Sequence, residues 1–93
     1  MSSKLDPDQF EAFQQKHPEW VWKGGHLERE WRFPDFKGSL GFVNRVGELA
    51  EKAQHHPDVD IRYDRVLLRL STHTEGTVTE RDLSLAKQID ALD

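Results

Sequence analysis

The spacing of hydrophobic residues along the chain switches between the period of a helix and the period of a strand. Near the N-terminus, Asp6, Pro7 and Gln9 have the order of an N-cap, a first-turn proline and a capping-box partner. Phe10 and Phe13 then fall on one helical face. This pattern predicts a first helix that ends before the next proline.

Two strands joined by a glycine turn are predicted next. Residues 20–22 read Trp-Val-Trp, Gly24-Gly25 follow, and residues 27–33 alternate between apolar and charged side chains. Trp31 and Phe33 are expected to face the core, whereas the tryptophans of residues 20–22 are expected to be partly exposed.

The longest helical pattern begins at Pro34-Asp35 and ends before Pro57. Its predicted apolar stripe consists of Phe36, Leu40, Val43, Val46, Ala50 and Ala53.

A second pair of strands and a last helix complete the pattern. Residues 65–73 alternate in character, with His73 at the end of the less apolar face, and a shorter strand is predicted at residues 61–63. Thr79 and Asp82 have the T-x-x-D spacing of a helix cap. The apolar stripe of the helix that follows is Leu83, Ala86 and Ile89.

The predicted order of elements is therefore α-β-β-α-β-β-α. Helices of this kind bury their apolar stripes by covering one face of a sheet. The sequence predicts an α+β fold, a two-layer sandwich with an antiparallel four-stranded sheet and the helices on one face. Residues 1–93 are expected to form a single domain, and residues 1–5 are expected to be loose.

Composition excludes several classes of function. The formal net charge is −4 with no basic cluster, so direct nucleic-acid binding is not expected. The chain has no cysteine, which excludes disulfides and thiolate chemistry. No signal peptide is recognisable, and no apolar run approaches the roughly 20 residues of a membrane span. The sequence predicts a cytoplasmic protein without membrane contact.

Three of the five histidines mark the candidate chemistry. His55 and His56 stand directly before Pro57 at the predicted helix end, and Glu51 precedes His55 by four residues. Glu51 is expected to orient His55 or to stabilise its charge, because residues four apart share a helical face. His73 is expected to supply a second imidazole from a strand end. Imidazoles transfer protons near neutral pH.

Some of these residues also fit ordinary structural roles. Asp82 is explained by its cap spacing and is not expected to be catalytic. Tyr63 fits a core aromatic as well as a ligand contact. A metal site is disfavoured because side chains of adjacent histidines diverge, unlike the i,i+4 pair of a helical zinc motif. His17 and His26 are interpreted as ordinary polar residues.

Taken together, Glu51, His55-His56-Pro57, Tyr63, His73 and Asp82 stand at the spacings of the pterin-4a-carbinolamine dehydratase family, which the chain resembles. The similarity extends over roughly residues 27–89. It joins several residue types to the order of elements predicted above, so it is far more specific than a short motif.

The resemblance implies dehydration of a 4a-hydroxytetrahydropterin to the quinonoid dihydropterin, the step that recycles the pterin after aromatic amino acid hydroxylation. His55 and His73 would be the acid/base pair, and Glu51 would support His55. His56 would bind and position the pterin. Neither a metal nor a cofactor is implied.

The resemblance also suggests how the pterin pocket is lined. Ser71 and Thr72 match family residues directly before the third histidine, and Tyr63 is a further candidate for substrate contact. A homodimer or homotetramer is implied by the family, and unpaired sheet edges are consistent with assembly. The alternative function is a non-catalytic protein-interaction role on the same fold, as a dimerisation cofactor or an assembly chaperone.

Overall fold

A computed structural model describes residues 4–92, and over these residues the chain forms three helices and one four-stranded sheet. The predicted class and order of elements are confirmed. In chain order the elements are α1 (Pro7–Lys16), β1 (Val21–Lys23), β2 (His26–Arg32), α2 (Phe36–Ala53), β3 (Asp58–Arg62), β4 (Arg65–Leu70) and α3 (Glu80–Asp90).

The sheet is antiparallel throughout, with the strand order β1-β2-β4-β3. Strand β4 lies between β2 and β3, and its Val66, Leu68 and Leu70 are fully buried on the face that the helices cover. Leu27 of β2 pairs with Leu70 and is also fully buried. The alternation of β4 therefore places one face of the sheet in the core, as the pattern predicted.

Each helix begins with a side-chain cap. Asp6 accepts a hydrogen bond from the Gln9 backbone N–H at 2.9 Å, and the Gln9 side chain accepts one from the Asp6 N–H at 3.1 Å, which completes the predicted capping box. Asp35 accepts from the Gly38 N–H at 2.8 Å, and Thr79 caps α3. These caps satisfy backbone donors that would otherwise lack partners at the helix starts.

The predicted stripe of α2 is partly wrong. Phe36 and Leu40 are 45% and 40% exposed and Ala53 is exposed too, whereas Ser39 and Phe42 are buried together with Val46 and Ala50. The helix has apolar residues on two faces, and the face that packs on the sheet includes Ser39. This serine can be buried because its hydroxyl donates to the Tyr63 carbonyl at 2.7 Å.

Three local expectations are corrected. Strand β3 begins directly after Pro57, earlier than predicted, and Tyr63 lies in the turn that follows it with a φ of 50°. Lys4 forms a bridge to Thr79, and Leu5 is buried in the core with its N–H donating to the Val78 carbonyl at 3.0 Å, so these two residues are not loose. The rest of the predicted loose segment, residues 1–3, lies outside the described residues.

Trp20 is fully buried, contrary to the expectation that it is partly exposed. Its indole N–H donates to the carboxylate of Asp90 at 3.0 Å, at the last residue of α3. The same carboxylate lies 2.6 Å from His17 Nδ1 and accepts from Arg29 at 2.8 Å. Asp90 thus connects α3 to the end of α1 and to the first hairpin.

Replacing Asp90 with Ala is expected to lower the free energy of unfolding by about 2 kcal/mol, because three largely buried polar groups would lose their acceptor. Urea unfolding of the variant and of wild type measures the loss. Asp8→Ala is the matched control, since Asp8 is exposed in the first turn of α1. Equal stabilities for Asp90→Ala and Asp8→Ala would contradict the anchoring role.

Candidate active site

A pocket of about 210 Å³ lies where α2 ends, β4 ends and α3 begins. It brings together most of the residues that the sequence nominated, three of them histidines. The lining residues are Gln54, His55, His56, Ser71, Thr72, His73, Thr74 and Arg81.

The two adjacent histidines are separated by the way α2 ends. Gln54 is the C-cap and has a left-handed backbone conformation, with a φ of 52°. The turn carries the next residue back over the helix end, where the His55 N–H donates to the Ala50 carbonyl at 3.1 Å. His55 is consequently buried, whereas His56, which precedes Pro57, has a side chain that is 57% exposed.

His55 is held by a carboxylate from α3. Its Nε2 lies 2.5 Å from Oδ1 of Asp82, a residue that is fully buried. The other oxygen, Oδ2, accepts from the Thr79 N–H and from the Thr72 hydroxyl, each at 2.9 Å. Asp82 therefore completes the predicted cap of α3 and binds a pocket histidine at the same time.

The predicted pairing of Glu51 with His55 is wrong. Glu51 Oε2 lies 2.5 Å from Nε2 of His56 instead. The four-residue spacing predicts a shared face only while the helix continues, and the left-handed Gln54 interrupts it before His55. The side chain of Glu51 is 74% exposed, so this ion pair lies at the rim of the pocket in contact with solvent.

Tyr63 is not brought to the pocket. It lies in the turn between β3 and β4, at the end of these strands opposite to His73, and it is 65% exposed. The six residues of β4 separate the two ends by about 20 Å at the usual rise per strand residue. Within one chain, Tyr63 therefore makes no contact with a ligand in this pocket.

Ser71, Thr72 and His73 follow directly from the end of β4. Thr72 is buried like the alternate residues of β4, whereas His73, in the turn that follows, is exposed. A bridge between Thr72 and Thr77 closes the segment into a short loop. His73 thus projects into the pocket mouth from a backbone that is tied to the core.

Four residues of the site were not predicted from the sequence: Asp82 behind His55, and Gln54, Thr74 and Arg81 in the pocket lining. The Arg81 guanidinium donates to the Gln54 carbonyl at 2.8 Å and ties the start of α3 to the end of α2. The T-x-x-D spacing accounts for Asp82 as part of a helix cap, so this spacing gives no separate reason to place it in the site. Its place in the family spacing was the available signal for a second role, since a cap alone does not require burial.

Among residues 4–92, no group of three or more histidine, aspartate or glutamate side chains is placed to hold a metal ion. None of the helices in this range is long and apolar enough to cross a membrane.

The sequence matches the family model described as pterin 4 alpha carbinolamine dehydratase over residues 3–92. A protein of Thermomicrobium roseum, provisionally named pterin-4-alpha-carbinolamine dehydratase, is 46% identical over 97% of each chain. A protein of Acidobacterium capsulatum with the same provisional name is 47% identical over 97% of this chain and 98% of its own.

Two solved structures are similar to this one. A transcriptional coactivator/pterin dehydratase from Brucella melitensis superposes with a TM-score of 0.88 at 30% identity, over 96% of this chain and 97% of that chain. A pterin dehydratase-like protein, described as a RuBisCO assembly factor in the alpha-carboxysome, has a TM-score of 0.68 at 23% identity, over 80% of this chain and 88% of its own. The second likeness concerns the fold alone.

Proposed function

Since the chain belongs to the pterin 4 alpha carbinolamine dehydratase family, we propose that it catalyses the dehydration of a 4a-hydroxytetrahydropterin to the quinonoid dihydropterin. The observation that carries this proposal is the pocket in which His55, His56 and His73 meet, with a buried carboxylate behind the first of them. A protein without catalytic activity has no evident need for this arrangement.

The reaction requires two proton transfers and no redox step. The C4a–O bond breaks, and the departing hydroxyl takes a proton from an acid and leaves as water. A base removes the proton from N5, and the N5 electrons form the new C4a=N5 double bond. Imidazoles can supply both groups near neutral pH, and such catalysis typically contributes about 10²–10⁴-fold.

The pocket supplies candidates for each part. We assign the acid/base pair to His55 and His73, because these side chains enter the pocket from different elements, the end of α2 and the end of β4. His56, exposed and paired with Glu51, is assigned to binding and positioning the pterin ring. Ser71 and Thr72 line the pocket beside His73.

The proposed reaction is tested by generating 4a-hydroxytetrahydropterin and identifying the product in the presence and absence of the protein. We expect faster formation of quinonoid dihydropterin, at a rate that a metal chelator does not change. A folded protein that gives the spontaneous product distribution over the spontaneous time course would contradict the proposal.

Replacing Glu51 with Gln is expected to change the rate of dehydration by less than about tenfold, because Glu51 contacts His56 at the rim and not His55. The stability should change by less than about 1 kcal/mol, as is usual for an exposed ion pair. Steady-state kinetics and thermal unfolding check both values. A loss of activity as large as that of a His55 variant would restore the role first predicted for Glu51.

We also propose that the protein assembles into a homodimer or homotetramer and recycles the pterin in the cytoplasm. Strands β1 and β3 are edges of the sheet over the described residues, and Phe36 and Leu40 form an exposed apolar strip on α2. Both features are typical of surfaces that a second copy covers.

A protein-interaction role is the second candidate function. The same strip on α2 favours it, because an exposed apolar helix face can bind a different partner as well as a second copy. Two kinds of variant distinguish the candidates. Replacing Leu40 with Glu should disturb assembly or the binding of a partner. Only changes in the histidine pocket should abolish dehydration directly.

A further inference from the structure

The buried hydroxyls behind His55 determine which of its two ring nitrogens faces the ligand. Five groups take part besides the imidazole: the Asp82 carboxylate, the hydroxyls of Thr72 and Thr79, and the backbone N–H groups of Thr79 and Arg81. All of the side chains are buried, so their protons must be shared among these groups.

The protons can be placed by following donors and acceptors. The Arg81 N–H donates to the Thr79 hydroxyl oxygen at 3.2 Å, and the Thr79 and Thr72 hydroxyl oxygens are 2.6 Å apart. If Thr79 donates to Thr72, then Thr72 donates to Oδ2 of Asp82, and every hydroxyl proton has an acceptor. In the reverse direction the Thr79 hydroxyl proton finds no other acceptor among the described residues.

The chain of hydrogen bonds therefore ends on Oδ2 of Asp82, which acts only as an acceptor. Oδ2 receives two donors, the Thr72 hydroxyl and the Thr79 N–H. With Asp82 taken as a carboxylate, which only accepts, the donor of the 2.5 Å contact at Oδ1 is Nε2 of His55, and this nitrogen carries the ring proton. In the neutral imidazole the lone pair is then on Nδ1.

Nδ1 of His55 is accessible from outside the protein. It makes no hydrogen bond to another described residue. A fully buried Nδ1 would therefore be a buried polar atom without a partner, but over residues 4–92 the only such side-chain atom is Nε of Arg29. Nδ1 is thus in contact with solvent. His55 itself lines the pocket beside His56 and His73. The free lone pair is thus on the side of the ring that a ligand can reach.

We infer that Thr72 is a positioning residue that, together with Thr79, keeps His55 in the Nε2–H form and presents Nδ1 as the atom that exchanges a proton with the substrate. When Nδ1 takes a proton, the charge of the imidazolium is balanced by Asp82 at Oδ1. The same atom returns the proton. Thr72 also directly precedes His73, the other imidazole of the proposed acid/base pair.

The charged and titratable groups around His55 come from three elements. Asp82 and Arg81 belong to the start of α3, His56 follows the end of α2, and His73 follows β4. Among these groups, Asp82 makes the direct contact with the ring. The tautomer is therefore expected to depend on the hydroxyls that orient Asp82 more than on the exposed charges at the rim.

The test is a two-dimensional ¹H–¹⁵N correlation spectrum of the histidine rings across the titration range, recorded on the wild-type protein and on Thr72→Val, Thr72→Ser and Thr77→Val. Valine keeps the shape of threonine but removes the hydroxyl. Serine retains the hydroxyl, and Thr77 is a control because none of its side-chain atoms takes part in the network.

In wild type, neutral His55 should be protonated at Nε2 and unprotonated at Nδ1. Thr72→Val should mix the two tautomers, move the pH profile of kcat/KM and lower kcat by about tenfold or more. Thr72→Ser should restore the wild-type tautomer and pH profile, and Thr77→Val should behave as wild type. A wild-type His55 with its proton on Nδ1 would overturn the inference, as would a Thr72→Val variant with the wild-type tautomer and pH profile.

The kinetic readouts of this test rest on the proposed dehydratase function, whereas the spectra do not. A protein that shows the Nε2–H tautomer but does not accelerate dehydration would contradict the proposed function and leave the proton arrangement established. An active enzyme with the other tautomer would contradict the inference alone.

Discussion

Asp82→Asn is expected to lower the rate of dehydration by about 10²–10⁴-fold. The asparagine oxygen can still accept from the Thr79 N–H and the Thr72 hydroxyl, which places its amide NH₂ against His55. The imidazole must then accept at Nε2 and carry its proton on Nδ1, the nitrogen that faces the pocket. The variant would retain all its histidines but would lack a free lone pair at the proposed position.

The measurement is kcat and kcat/KM for Asp82→Asn beside wild type, with circular dichroism and thermal unfolding to establish that the variant is folded. Asp8→Asn is the control, because Asp8 occupies the first turn of α1 as Asp82 occupies that of α3 but is exposed. A folded Asp82→Asn variant with activity within threefold of wild type would show that the carboxylate serves only as a helix cap.

His73→Ala is expected to lower the rate of dehydration by about 10²–10⁴-fold while leaving the fold intact. His73 is exposed, and its side chain makes no hydrogen bond to another described residue, so its truncation should change the free energy of unfolding by less than about 0.5 kcal/mol. Large kinetic and small structural effects together would identify a group that acts on the substrate.

The matched control for this variant is His26→Ala. His26 is another histidine at the end of a strand, but it lies in the first hairpin and contacts Glu28. The two variants should unfold at similar temperatures, and only His73→Ala should have a strongly reduced rate of dehydration. If both variants retain wild-type kcat, His73 is not a member of the acid/base pair.

The fold could be predicted from local signals to a large extent. The capping boxes at Asp6 and Thr79, the glycine turn after residues 20–22 and the alternation of β4 each determine structure through neighbouring residues. The burial of Trp20 was not predictable in this way, because it depends on Asp90, 70 residues further along the chain. Since α2 has apolar residues on two faces, the sequence likewise does not determine which face packs in the core; tertiary packing does.

The histidines of the site could be predicted from the sequence, but the carboxylates that contact them could not. The spacing of His55, His56 and His73 was visible in the sequence, and the structure places all three on one pocket. The partner of His55 could not be derived from helical spacing, because the left-handed turn at Gln54 redirects the side chain. A cap residue such as Asp82 also gains a second contact only when its helix start is buried against another element.

The time course of 4a-hydroxytetrahydropterin loss tests the central proposal, that this pocket carries out the dehydration. Freshly generated substrate is divided between buffer, wild-type protein and His73→Ala, and the absorbance change is followed at one pH and one protein concentration. We predict that wild type is clearly faster than buffer and that His73→Ala approaches the spontaneous rate. Wild-type protein that is folded but no faster than buffer would contradict the proposal.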